Sequence, residues 1–127
     1  MNHEVVKDCT RLSDEEKITF PEVTRRLSEA GIELYQADLL ASTKTYYANN
    51  SAYIVNCSQK FKVVADSFHL EGVIDAIRQI QLKQIQYQEF IKKIMAAGVI
   101  FYIVFIKGSK AIYFGRRGEQ HVEEFPK

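Results

Sequence analysis

The sequence predicts an α+β fold in which one unit, two helices followed by a three-stranded antiparallel meander, occurs twice about a pseudo-twofold axis. Three observations carry this. The chain matches itself at a constant offset of 67 residues. Helical spacing gives way to extended spacing after Ala30-Gly31 and again after Ala97-Gly98. The second of those glycines opens Val99–Ile106, a stretch apolar at every position and rich in β-branched and aromatic side chains.

The offset pairs Glu4 with Glu71, Val6 with Val73, Asp8 with Asp75 and Arg11 with Arg78. It goes on to pair Ile18 with Ile85, Glu22 with Glu89, Ala30-Gly31 with Ala97-Gly98, Tyr35 with Tyr102, Tyr46 with Tyr113 and Val55 with Val122. Conservative matches such as Leu27 with Ile94 and Ile32 with Val99 fill the gaps. A shared helix-then-strand pattern alone would not keep the offset constant, so two copies of one unit are expected, over about residues 3–56 and 70–123, in one domain of 127 residues.

Taken in order, Val5, Val6, Cys9 and Leu12 fall on one helical face, as do Leu70, Val73, Ile74 and Ile77, where Asp66 or Ser67 is positioned to cap the start. Thr19-Phe20-Pro21-Glu22 has the form of a capping box with proline in the first turn, ahead of Val23, Leu27 and Ala30. Its counterpart sets Tyr87, Phe90, Ile91 and Ile94 on one stripe. Gly31 and Gly98 stand where these helices end, and both are expected at positive φ. The first strand, Ile32–Leu39, is interrupted by Glu33, Gln36 and Asp38, which suits a wet side or an edge position. Val99–Ile106 has no interruption and predicts a strand buried on both faces. The turns Lys107-Gly108-Ser109 and Gly115-Arg116-Arg117-Gly118 separate the remaining strands of the second meander. Short turns make the strands antiparallel, in one sheet of about six strands or in two packed half-sheets. Residues 57–68 connect the copies, and their apolar side chains imply that they pack onto the body.

A hydrophobic content of 46% with a net charge of +1 describes a globular chain with a core. The longest apolar run, Ile94–Ile106, is thirteen residues, short of the roughly eighteen or more that span a bilayer. His3, Glu4, Lys7 and Asp8 occupy the start where a secretory signal would be apolar, so a cytoplasmic protein is expected. Cys9 and Cys57 make neither a disulfide framework nor a zinc cluster.

The run Tyr87-Gln88-Glu89-Phe90, the Ala96-Ala97-Gly98-Val99 junction, Tyr113-Phe114 followed by Gly118-Glu119, and the closing Glu124-Phe125-Pro126 resemble domain-of-unknown-function family 1398. The resemblance spans most of the chain and is strongest over residues 68–126. It implies a small bacterial or prophage protein of a family often labelled phage envelope-like, and it brings no established activity and no functional residues to this chain. Phe101-Tyr102 and Phe105-Ile106 depart from the more polar strand the family's pattern leads one to expect.

Few residues have the spacing of a reactive site. His3, His69 and His121 lack zinc-ligand spacing, and Glu15-Glu16 and Glu123-Glu124 lie in polar stretches. P-loop, dinucleotide-binding and nucleophile-elbow motifs are absent, and no cofactor or metal is expected. Residues 1–60 carry a net charge of −2 and residues 61–127 one of +3. The basic pairs Lys107/Lys110 and Arg116/Arg117 belong to turns at opposite ends of one meander, which argues against nucleic-acid binding.

Two functions remain. One is a small non-enzymatic interaction module that binds a protein partner, or a second copy as a homodimer, through apolar sheet surface. Its interface would be Ile100, Tyr102, Val104 and Ile106, one side of the unbroken strand. The alternative is a small-molecule-binding protein, conceivably an enzyme, with a groove between the repeats lined by Tyr35, Tyr46, Tyr102, Tyr113 and Cys57.

Overall fold

A computed structural model of the chain describes residues 1–126. The first unit contains α1 (His3–Asp14), α2 (Phe20–Glu29), β1 (Leu34–Asp38), β2 (Thr43–Ala48) and β3 (Ser51–Asn56). The second contains α3 (Leu70–Gln81), α4 (Tyr87–Ala96), β4 (Val99–Phe105), β5 (Lys110–Gly115) and β6 (Gln120–Glu124). Five elements in the same order, twice, give the expected α+β duplication. The backbone repeats in detail: Glu16 and Lys83, Gly31 and Gly98, and Ser42 and Ser109 are equivalent pairs, and all six residues have positive φ.

The strands form one antiparallel sheet in the order β3-β2-β1-β4-β5-β6. The two units join along β1 and β4, where Gln36 faces Ile103. Those two residues are each other's equivalents in the repeat, so the pseudo-dyad passes between them. Joining the units by their first strands satisfies one backbone edge of each meander, and β1 is therefore central. Its polar side chains mark a wet face and not a sheet edge.

Helix starts follow local chemistry in the first unit. Asn2 caps α1 by accepting from the Val5 amide at 3.2 Å, and Thr19 caps α2 by accepting from Glu22 at 3.4 Å. Glu22 does not complete the capping box, because its carboxylate pairs with Arg25 and Arg26. In the second unit α3 begins at N-cap His69 with no side-chain cap, so neither Asp66 nor Ser67 serves there. The connection is instead held by backbone and arginine contacts. Ala65 donates to Met95 O at 3.0 Å, His69 donates to Ala97 O at 2.8 Å, and Arg116 and Arg117 donate to Val64 O and Asp66 O at 2.9 and 3.0 Å. Val64 is buried and Phe61 packs against the core, as their apolar character implies.

All four helices pack on one face of the sheet. Tyr35 and Ala37, Tyr46 and Ala48, Tyr102 and Val104, and Ala111 and Tyr113 alternate into that core, joined by Val6, Cys9, Leu27, Val73, Ile77, Ile91 and Ile94. β4 is consequently covered on one side only, contrary to the expectation of burial on both. A register shift between Val99 and Phe101 lets Val99 reach the core as well. The repeat also slips once. The β5–β6 turn is one residue longer than the β2–β3 turn, with Gly118 at φ 84°. Val122 therefore aligns with Ile54 on the open face, whereas Val55, its match at the constant offset, lies on the covered face.

Candidate functional site

The four tyrosines singled out by the repeat do come together, inside the protein. Tyr35, Tyr46, Tyr102 and Tyr113 are 3%, 1%, 4% and 7% exposed. Tyr35 and Tyr46 have ring centroids 5.3 Å apart, and their equivalents Tyr102 and Tyr113 are 5.2 Å apart, with interplanar angles of 36° and 35°. This aromatic layer is core between sheet and helices, and it lines no groove. The Tyr46 hydroxyl bonds Thr10 Oγ1 at 2.7 Å, and Thr10 in turn donates to Val6 O. Burial drives the hydroxyl pKa of all four tyrosines upward, so they remain protonated at neutral pH.

A buried lysine sits among them. Lys44 follows the same β2 parity as Tyr46, is 4% exposed, and holds Nζ 4.9 Å from the Tyr87 ring centroid and 5.8 Å from that of Tyr35. Its ammonium makes no ion pair or hydrogen bond among the described residues. Burial opposes its charge at neutral pH; its pKa is nonetheless raised, because Tyr102, Tyr46, Tyr35 and Cys57 become anionic in strong base. Cys57 lies beside this cation. Burial pushes its thiol up to about 11, with Lys44 lowering it in part and Asp14 adding to the rise, so it is a poor nucleophile at neutral pH. Lys44 escapes a motif search. The Thr-Lys-Thr-Tyr-Tyr-Ala alternation of β2, which puts Lys44 on the side of Tyr46, is the signal that finds Lys44.

α4 is anchored over the first unit. The Glu16 carboxylate accepts from the Gln88 amide at 3.2 Å, placing negative charge at the start of α4, where Gln86 supplies no side-chain cap. Gln88 Nε2 donates to Asp14 O at 3.0 Å and Ser58 O at 3.4 Å. Beside it lies a cleft of about 310 Å³ lined by Thr10, Asp14, Val55, Ser58 and Gln88; a second, between α1 and α2, is about 230 Å³. Both are at or below the lower end of the ~300–1,000 Å³ typical of ligand pockets.

The opposite face of the sheet has no helix over it and reads as three rows running across all six strands. They are Ala52-Tyr47-Leu34-Phe105-Lys110-Glu124, Ile54-Thr45-Gln36-Ile103-Ile112-Val122, and Asn56-Thr43-Asp38-Phe101-Phe114-Gln120. On β4 to β6 the rows bring Phe101, Ile103, Phe105, Ile112, Phe114 and Val122 into one apolar patch, with the Phe101 and Phe114 rings 5.1 Å apart. Of the interface residues expected from the sequence, Tyr102 and Val104 point into the core, and Ile100 and Ile106 pack against it. They do share one side of the strand, but it is the side that the helices cover. The outward surface belongs to the alternate residues Phe101, Ile103 and Phe105.

Other candidates have structural partners. His3 stacks on Tyr53 at 3.8 Å, and His121 bonds Glu123 at 3.1 Å. Burial raises Glu123, but Arg78 and His121 together hold its pKa below the usual carboxylate value. Among the described residues no helix is long and apolar enough to cross a membrane.

No curated protein matches the chain. A family model described as "Protein of unknown function (DUF1398)" matches residues 48–124, a span that runs from the end of β2 to the end of β6 and contains the connection, the whole second unit and its apolar patch. By that match the chain belongs to the DUF1398 family.

Proposed function

We propose that this protein is a small non-enzymatic interaction module of a bacterial or prophage family, working in the cytoplasm and docking protein through the open face of its second unit. The patch of Phe101, Ile103, Phe105, Ile112, Phe114 and Val122 carries the reading. Six apolar side chains, Val122 exposed and the other five half-buried, are contiguous on a face that no helix covers, and an uncovered patch of this kind marks an interaction surface. The candidate nucleophile argues the same way, since Cys57 is held protonated at neutral pH. Free thiols at Cys9 and Cys57 suit a reducing compartment.

The test is photo-crosslinking in cells. A benzophenone side chain at Phe114 should yield protein adducts, and the same group at exposed Lys17 in the α1–α2 turn should not. Absence of any adduct from position 114 would overturn the reading. One observation favours small-molecule binding instead: Asp14 Oδ1 and Gln88 Oε1, both at the 310 Å³ cleft, are buried acceptors without a hydrogen-bond donor. That reading predicts thermal stabilisation of the protein by small donor-bearing molecules and its loss in Asp14→Asn.

A further inference from the structure

We infer that the occupant of the open face is a second copy of this chain, packed sheet to sheet with a twofold axis running across the strands along the row Ile54-Thr45-Gln36-Ile103-Ile112-Val122. The inference rests on the proposed docking face and names its partner.

Area sets the first condition. Six strands spaced about 4.8 Å, with three outward residues per strand at about 6.8 Å, give a footprint of roughly 600 Å² per copy. Two such faces together lose about 1,200 Å², the lower bound for a specific, stable interface, whereas overlap of the apolar half alone would fall in the range of crystal contacts. The full sheet must therefore take part.

Chemistry chooses between the two in-plane axes that give full overlap. An axis along the strands lays β4 of one copy on β1 of the other, setting Phe101 against Asp38, Ile103 against Gln36 and Phe105 against Leu34. An axis across the strands lays each strand on itself. Ile103 then meets Ile103, Ile112 meets Ile112, Phe105 of one copy meets Phe101 of the other, and the first unit's face meets itself, with Gln36 on Gln36, Thr45 on Thr45 and Asp38 opposite Leu34.

Charge is compatible with the second arrangement. The open face carries only Asp38, Lys110 and Glu124, and Lys110 is the register neighbour of Glu124 within its own sheet. The patch therefore presents no net charge to its copy, and depletion of charge is what interface cores show. Across this axis Lys110 of one chain also lies opposite the Phe114 ring of the other, a cation–π geometry.

Light scattering and analytical ultracentrifugation of the full chain test the inference. The wild type should have twice the chain mass. The double variant Ile103→Gln/Ile112→Thr gives the second unit the residues that the first carries at the equivalent positions Gln36 and Thr45, so it is compatible with the backbone. It should weaken the dimer at least tenfold with an unchanged circular dichroism spectrum. In a Cys57→Ser background, Ile112→Cys lies on the axis and should be joined to its copy by a short bismaleimide, since sheets packed about 10 Å apart are too far for a direct disulfide, whereas Thr43→Cys should not. A wild type that stays monomeric while crosslinks from position 114 capture another protein overturns the second copy and leaves the docking face standing. A dimer untouched by the double variant overturns the second copy as the occupant of this face. A dimer that crosslinks through Thr43→Cys and not through Ile112→Cys overturns the axis.

Discussion

At equivalent positions the first unit holds polar side chains where the second holds apolar ones, on both faces of the sheet. Under the helices, Thr10 corresponds to Ile77 and Lys44 to Ala111. On the open face, Gln36 corresponds to Ile103, Thr45 to Ile112, Asp38 to Phe105 and Tyr47 to Phe114. What stays alike is the layer that both backbones need: Val6 and Val73, Leu27 and Ile94, Ile32 and Val99, Tyr35 and Tyr102, Tyr46 and Tyr113. A duplicated backbone constrains only the side chains that fill it. Positions outside that shared layer were free to diverge, so the first unit buries Thr10, Ser13 and Lys44, whereas the second, apart from Gln88, is apolar inside and carries the uncovered apolar surface.

Placing one substitution at two equivalent positions tests how far the equivalence goes, and the glycines should give the largest difference. At Gly31 and Gly98 alanine meets φ of 80° and 89°, but at Gly98 its Cβ would also stand 2.3 Å from Ser67 O, whereas at Gly31 nothing lies within 4 Å. Gly98→Ala should cost about 3 kcal/mol, backbone strain plus overpacking, and Gly31→Ala about 1. Urea denaturation reads both. Equal losses would mean that the connection does not press on the α4–β4 junction.

Lys44→Met gives the first unit an apolar residue where the second has Ala111. The buried cation has no anionic partner, so the variant should be more stable by about 1 kcal/mol, read as a raised melting temperature. A loss instead would show that the ammonium organises the aromatic layer around it. The hydroxyls come next. Tyr46→Phe removes the bond to Thr10 and should cost about 1 kcal/mol, whereas Tyr113→Phe, with no such bond, should stay within about 0.5 kcal/mol of wild type.

Cys57 offers the smallest effect and a pH signature. Its folded pKa of about 11 lies above the 9.0 of an unperturbed thiol. Between those values the unfolded chain ionises first, so the Cys57 contribution to stability is complete below pH 9.0 and declines as pH rises towards about 11. Cys57→Ser should flatten that part of the stability profile. Alkylation of wild-type Cys57 at neutral pH should be much slower than that of a free thiol.

The sequence by itself determined the duplication, the four helices, the glycine junctions at Gly31 and Gly98 and the antiparallel meanders. These follow from periodicity, capping residues and positive-φ demands, which are local along the chain. It also marked the tyrosine pairs as a shared feature. Tertiary structure decided which way each strand faces. Ile100, Tyr102, Val104 and Ile106 form one side of β4 and Phe101, Ile103 and Phe105 the other, and both sides are apolar, so hydrophobicity offered no way to tell covered from open. That choice rests on where four helices lie relative to a sheet assembled from two distant segments. The same non-local packing turned the tyrosines inward, placed Lys44 between Tyr35 and Tyr87, and put Val122 on the face opposite Val55 through one extra residue in a turn. Side chains alternate with period two along a strand, so a single inserted residue exchanges inside for outside.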